Sequence, residues 1–374
     1  MADDSEGMLS WDESVFRNEH VFEIDYLPET FRHRESQLES LKYALRPAVR
    51  GSRPLNAMIR GPPGTGKTTA VQKLFGELGG ETDVEVVRVN CQVNATRYAV
   101  FSRLFEGVFE YEPPASGVSF KKLFGQLTDR LVDDDTVLVV ALDDINYLYY
   151  ENEVSDTLYS LLRAHETHPG SKIGVVVVSS DLSLDVIDEL DSRVQSVFRP
   201  EEVYFPRYGR DEITSILQER IDRGFHEGVI GAPQLDVVTE YTADSGDLRV
   251  GIDLLRRAGL HAEMRASREI TEEDVESAYE KSKHVHLSRC LRGLSESEVA
   301  LIEVLLDHDG EQAGEVYDAF HDETGLGYTR YSELVNKLDQ LGLITATYAD
   351  VEGRGRSREL SLEYETDAIV DRLD

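Results

Sequence analysis

The residues best suited to chemistry lie in one short run, Gly61-Pro62-Pro63-Gly64-Thr65-Gly66-Lys67-Thr68, followed by Thr69. The run has the GxxxxGK[ST] pattern, in which glycines let successive backbone N–H groups curl around phosphate oxygens. The lysine reaches the outer phosphates and the threonine hydroxyl can ligate Mg²⁺. Ala57 to Arg60 reads as a strand entering the loop, and Val71, Leu74, Phe75 and Leu78 give the following segment helical periodicity. The positive end of that helix adds to the anion site. Gly61, Pro63, Gly64, Thr65, Gly66, Lys67, Thr68 and Thr69 are therefore candidate nucleotide-binding residues, with Thr68 also a candidate metal ligand.

A second constellation stands downstream. Thr136 to Leu142 is a continuous apolar run, as in a strand buried on both faces, and it ends in Asp143-Asp144. Beside a phosphate loop, one acid can hold the Mg²⁺ shell and its neighbour can polarise the attacking water. Another buried-looking strand, Ile173 to Val178, ends in Ser179-Ser180-Asp181. Strands alternating with helices, with polar residues at their C-terminal ends, predict an α/β fold with a parallel sheet and its site along that edge.

Composition narrows the class. The 374 residues carry 39 Lys+Arg against 72 Asp+Glu, a net charge of −33, while 40% of residues are apolar. Disorder is a poor explanation for that apolar content. The acids run through every segment, which points to a salt-rich cytoplasm, where at ~1 M salt the Debye length falls to about 3 Å and self-repulsion is screened. Cys91 and Cys290 are far apart and lack metal-ligand spacing, so neither a disulfide framework nor a zinc ribbon is supported. An acidic N-terminus and the lack of a long apolar run lead us to expect a cytoplasmic protein without a membrane partner.

The remaining elements imply four segments: an acidic tail (1–17), a phosphate-loop domain (18–206), a helical domain (207–286) and a C-terminal domain (287–374). In the third, helices are expected over Asp211 to Arg223, through Leu235 to Ala243, from Asp247 to about Ser267, and after Thr271-Glu272-Glu273-Asp274. In the fourth, Ser295 to Glu298 caps one helix, Glu315 to Thr324 forms a second, and Tyr328 opens a third. Two alternating strands, Ile344 to Tyr348 and Arg358 to Leu362, then frame a basic tip. Three helices and a basic hairpin describe a winged helix. Its third helix would place Thr329, Arg330 and Ser332 in the DNA major groove, with Gly353 allowing close approach and Arg354, Arg356 and Arg358 on phosphates or in a minor groove. Winged helices also serve as protein docking modules.

Taken together, these residues resemble the AAA+ ATPases, and among them the archaeal replication initiators related to the origin recognition complex and its cell-division-cycle partner. The likeness runs from about Val15 to the C-terminus. It is carried by Tyr26-Leu27-Pro28-Glu29, His33-Arg34-Glu35, Ala44-Leu45-Arg46-Pro47, the phosphate loop, Asp143-Asp144-Ile145-Asn146, Ser179-Ser180-Asp181-Leu182, Leu190 to Val194, and Gly246-Asp247-Leu248-Arg249 ahead of Asp253 to Arg256. The resemblance implies ATP/ADP and Mg²⁺ as cofactors, with Pro28 and His33 beside the adenine, Asp143 on the metal and Asp144 as catalytic acid. It makes 207–286 a lid whose Arg249 senses the γ-phosphate, and Arg193 the arginine that reaches a neighbouring subunit's nucleotide. It also puts a DNA-touching helical insertion within Ala95 to Leu131.

Two positions depart from the family. Its second acid is usually Glu, so Asp144 is one methylene short; it usually has Asn where Ser180 stands, which removes an amide that could orient water. Binding should survive, with hydrolysis slow. The implied function is an ATP-switched initiator that binds double-stranded DNA at replication origin repeats, self-assembles there, and helps recruit or load the minichromosome maintenance replicative helicase. Two competitors stand beside it: an ATP-gated DNA-binding regulator or plasmid-type paralogue that loads nothing, and a remodelling ATPase without specific DNA binding.

Overall fold

The computed structural model describes residues 14–373, except 81–82, 115–117, 183, 185 and 352–354. The chain divides into two compact units, Met1–Glu272 and Glu273–Asp374.

In the first unit, α1 (Glu35–Leu45) precedes β1 (Ala57–Arg60), and the phosphate loop runs from that strand into α2 (Lys67–Leu78). Strand β2 (Val84–Asn90) leads to α3 (Arg97–Phe109) and α4 (Phe120–Asp133). Next come β3 (Val137–Asp143), α5 (Asn146–Tyr150), α6 (Val154–Leu162), α7 (Ala164–Thr167), β4 (Lys172–Ser179), α8 (Ser192–Gln195) and β5 (Glu201–Tyr204). The five strands are parallel, in the order β2-β3-β4-β1-β5.

Alternation along β3 explains why its apolar run is unbroken. Leu138, Val140 and Leu142 enter a core shared with Phe101 and Leu104 of α3 and Leu127 of α4. Val137, Val139 and Ala141 enter a second core with Leu41 of α1 and Ala70 and Leu74 of α2. Successive side chains of a strand point to opposite faces, so a sheet covered on both faces needs apolar residues at every position. Burying each valine or leucine contributes about 1.5–3 kcal/mol. β1 lies between β4 and β5, while the chain leaves it for β2 at the far edge. Its loop therefore opens over the crevice where crossovers diverge, the usual place for a ligand in such sheets.

Three helices follow in the same unit: α9 (Arg210–Gly224), α10 (Ala232–Ser245) and α11 (Leu248–Met264). Gly246 ends α10 in the left-handed region at φ 65°, and the Asp247 side chain caps α11 by accepting from the Arg249 amide. The latter helix, expected to reach about Ser267, stops at Met264 because Ala266 takes φ 51°. Phe16 pairs with Phe225 and packs against it at 5.1 Å between ring centroids, so the N-terminal segment is fastened to α9.

The second unit comprises most of α12 (Glu272–Arg292), then α13 (Glu296–Asp307), β6 (Glu311–Gln312), α14 (Ala313–Thr324), α15 (Tyr328–Gln340), β7 (Ile344–Val351), β8 (Gly355–Leu362) and α16 (Thr366–Leu373). The boundary placed at 286/287 thus falls inside α12. Strands pair antiparallel in the order β6-β8-β7, with α13, α14 and α15 preceding the β7–β8 hairpin. The Ser295 amide donates to Glu298 Oε2 at 2.8 Å, closing the capping box at the start of α13. Leu301, Phe320, Tyr331, Leu334 and Leu360 form the core that fixes α15 against the sheet.

Candidate functional site

The phosphate loop has the backbone its glycines allow. Gly64 and Gly66 adopt φ 70° and 89°, where L side chains are strained. A Cβ on Gly64 would also stand 1.9 Å from Asp247 Oδ1, so only glycine fits under the acid that caps α11. Lys67 Nζ donates to the carbonyls of Gly61 at 2.8 Å and Pro62 at 2.6 Å. Thr65 Oγ1 also donates to Pro62, at 2.9 Å. The lysine is 5% exposed, and burial pulls its pKa down to about 8, opposed first by the charge of Asp144. A buried ammonium bonded to neutral carbonyls is set up to receive an anion. Pro63 is exposed, and Thr68 and Thr69 are half-buried on the first turn of α2.

The two acids meet this loop. Thr68 Oγ1 lies 3.1 Å and 3.4 Å from the Asp143 carboxylate oxygens. Asp143 is 4% exposed at the end of β3. Asp144 takes φ 55°, and its Oδ1 accepts from Ser180 Oγ at 3.3 Å. Burial raises the Asp144 pKa, and the adjacent Asp143 charge raises it further, against the Ser180 hydrogen bond and Lys67.

The helical segment contributes Arg249. Its Nε lies 2.9 Å and 3.0 Å from the two Asp247 carboxylate oxygens. Those hydrogen bonds raise its pKa, with the charge of Asp144 acting in the same direction. Arg249 also depresses Lys67, so residues distant in sequence form one electrostatic group.

On the other side of the loop, His33 takes φ 63°. Its Nε2 is buried without a hydrogen-bond partner, and its Nδ1 lies 3.9 Å from Glu212 Oε1. Lys73 of α2 donates to the Pro28 and Glu29 carbonyls at 2.6 Å and 2.8 Å, drawing the Pro28 segment onto the loop's helix. Two further residues of this group carry no motif-based role. Arg34, 2% exposed, donates to the carbonyls of Thr65, His33 and Pro206 at 3.1, 3.0 and 2.6 Å. Arg88 donates to Asp143 Oδ2 at 3.0 Å. Adjacency to His33 is a local signal for the first; only strand register brings in the second.

Arg193 stands apart from this cluster. It is half-exposed, bonded to Asp156 at 2.7 Å and Asp191 at 2.8 Å, and lies over the Tyr159 ring. In the second unit, Thr329 and Arg330 are exposed on the first turn of α15, with Ser332 half-buried. Arg330 pairs with Glu333 at 2.9 Å, and Arg358 of β8 donates to Asn336 of α15 at 2.8 Å. Gly353 and Arg354 lie outside the described residues, as does the side chain of Arg356.

Fold and site together define an AAA+ ATPase. Residues 30–178 match the AAA ATPase domain family, and residues 214–280 match the Cdc6 AAA+ ATPase-type lid domain. The chain belongs to the ORC1/Cdc6-type DNA replication initiator family. It is 71% identical to ORC1-type DNA replication protein 3 of Haloarcula marismortui, covering 100% of both chains. It is 67% identical to ORC1-type DNA replication protein 6 of Halobacterium salinarum, covering 99% of both. Among solved structures it is similar to the Aeropyrum pernix ORC1 protein in complex with DNA, at 27% identity and TM-score 0.73 over 97% of each chain. The fold is also that of the Aeropyrum pernix ORC2 protein, at TM-score 0.74 over 96% of this chain and 98% of that one.

Proposed function

We propose that this chain is an ATP-switched replication initiator: the first unit holds ATP, the winged helix grips duplex DNA at origin repeats, and the ATP-bound form helps recruit the minichromosome maintenance helicase. One observation carries the switch. Lys67 and Thr68 from the loop, Asp143 and Asp144 from a strand end, and Arg249 from a lid helix converge on one site. A γ-phosphate held there would be a shared partner of sheet and lid residues, and its loss on hydrolysis would release them from one another.

The residues fit ATP and a divalent ion. Lys67, bonded only to carbonyls among its described hydrogen bonds, supplies the cation for the outer phosphates. His33 Nε2, buried and unpartnered, offers a ring nitrogen on the side assigned to adenine, and the Pro28 carbonyl is held by Lys73 of α2. Thr68 and Asp143 would hold Mg²⁺, which when bound neutralises charge on the phosphates. Asp144 would accept a proton from, or orient, the attacking water, and Arg249 would leave Asp247 for the γ-phosphate. Ser180 Oγ donates to Asp144 and so competes with that water; hydrolysis is correspondingly slow. Arg193, held on the surface by Asp156 and Asp191, faces a neighbouring copy on DNA.

The DNA reading rests on the exposed first turn of α15 and on the likeness to a relative solved with DNA. Its test is anisotropy of labelled duplex carrying repeats from a haloarchaeal origin, with ATP or ADP, for wild type and Arg249→Ala. We expect nucleotide-dependent affinity in wild type and none in the variant. Equal binding to random duplex, whichever nucleotide is present, would overturn the proposal.

A further inference from the structure

Asp143, proposed above as a metal-facing acid, is already held by a cation that the proposed switch does not use. Arg88 of β2 donates from Nη1 to Asp143 Oδ2 at 3.0 Å. That same oxygen accepts from Thr68 Oγ1 at 3.1 Å. Parallel register pairs Arg88 with Ala141 and Asn90 with Asp143, so the guanidinium leans two residues along the strand to reach the acid. The Arg88 side chain is 37% exposed and that of Asp143 5%. A long side chain with one end in solvent can swing away; a carboxylate fixed at a buried strand end cannot follow it.

We propose that Arg88 is a positioning residue that acts as a placeholder for the metal: it neutralises Asp143 while the site is metal-free, yields Oδ2 when a divalent ion arrives, and so sets the Mg²⁺ concentration at which nucleotide is held. The proposal rests on the reading of Thr68 and Asp143 as the metal-facing pair. An isolated buried carboxylate is costly, and an ion pair with good geometry offsets part of that cost. Two cations that share one oxygen weaken each other, and the coupling is reciprocal. When the metal is bound, Arg88 still leaves a positive charge near it, which lowers metal affinity. Thr68 and the buried end of β3 keep Asp143 in place without Arg88. Removing Arg88 therefore removes a competitor and leaves the site standing.

The test titrates Mg²⁺ into full-length wild type, Arg88→Met, Arg88→Lys and Asp143→Asn at a fixed concentration of fluorescent ATP analogue, in concentrated KCl. Melting temperatures are measured with Mg²⁺ and with chelator. We expect half-saturation of Arg88→Met at about tenfold less Mg²⁺, the equivalent of about 1.4 kcal/mol. It should melt earlier than wild type in chelator and recover with Mg²⁺, while Arg88→Lys returns the midpoint toward wild type. An unchanged midpoint in Arg88→Met would overturn the proposal and leave a surface ion pair. A higher midpoint would also overturn it, by making Arg88 an aid to metal binding. Nucleotide retention indifferent both to Mg²⁺ and to Asp143→Asn would overturn the metal-pair reading as well, which separates the two failures.

Discussion

Arg34 Cζ lies 3.6 Å from the centroid of the Tyr208 ring, so one buried guanidinium joins the phosphate loop to the connection between β5 and α9. Its three carbonyl acceptors, on His33, Thr65 and Pro206, belong to three separate segments. Hydrogen bonds to charged groups are worth about 1.5–3 kcal/mol each, and buried acceptors left without a donor add to the loss. Arg34→Ala should therefore cost at least about 3 kcal/mol in chemical denaturation. Lys cannot reproduce the planar fork, so Arg34→Lys should recover little. A loss below about 1 kcal/mol in the alanine variant would show that the clamp is not structural.

Lys67 should make ATP affinity pH-dependent. Phosphate binding favours the protonated amine, and burial has lowered its pKa in the free protein to about 8. Below that value the cation is in place; above it, binding must first restore a proton. Affinity should fall about tenfold between about pH 7 and about pH 9, with proton uptake visible as a buffer-dependent heat in calorimetry. A flat profile would mean that Lys67 stays charged throughout.

In the proposed mechanism Asp144 sets the hydrolysis rate. Asp144→Glu restores the reach of the longer acid and should speed single-turnover hydrolysis about tenfold, equivalent to about 1.4 kcal/mol off the barrier. Asp144→Asn removes the proton acceptor and should slow it by about a hundredfold or more while ATP remains bound. Equal rates in all three proteins would place the catalytic acid elsewhere.

As the proposed DNA reader, the second unit should separate two kinds of arginine. Arg358, bonded to Asn336 at 2.8 Å, is proposed to contact phosphates or enter a minor groove, and the phosphate role has a clear signature. Arg358→Ala should weaken binding to specific and random duplex alike and reduce the slope of log K against log salt by about 0.9. Arg330 is assigned to a base edge, so Arg330→Ala should cost about 1–3 kcal/mol on the specific site alone. Glu333→Gln frees Arg330 from its ion pair, and should strengthen binding modestly, since such pairs are worth only about 0.2–0.5 kcal/mol. The opposite assignment of the two slopes would exchange their roles.

What was legible in the sequence was local. The phosphate loop, its helix and the apolar run of β3 are contiguous, and periodicity alone implies a sheet buried on both faces. The carboxylates of Asp143 and Asp144 lie where a strand end must put them. Arg88 was not legible, because its meeting with Asp143 depends on which strand pairs with β3 and in what register. Asp247 illustrates the same limit. It belongs to the run Gly246-Asp247-Leu248-Arg249, but its packing over Gly64 arises only when α11 is brought against the loop. The break at Ala266 was missed because a left-handed alanine has no sequence signature.

The most direct test of the central claim is genome-wide DNA occupancy of the native protein in a haloarchaeal host, beside an Arg249→Ala variant and an Arg330→Ala/Arg358→Ala variant. The initiator account predicts discrete peaks at replication start sites, lost in the second variant and no longer nucleotide-responsive in the first. Peaks confined to promoters, or a profile indifferent to both substitutions, would contradict it.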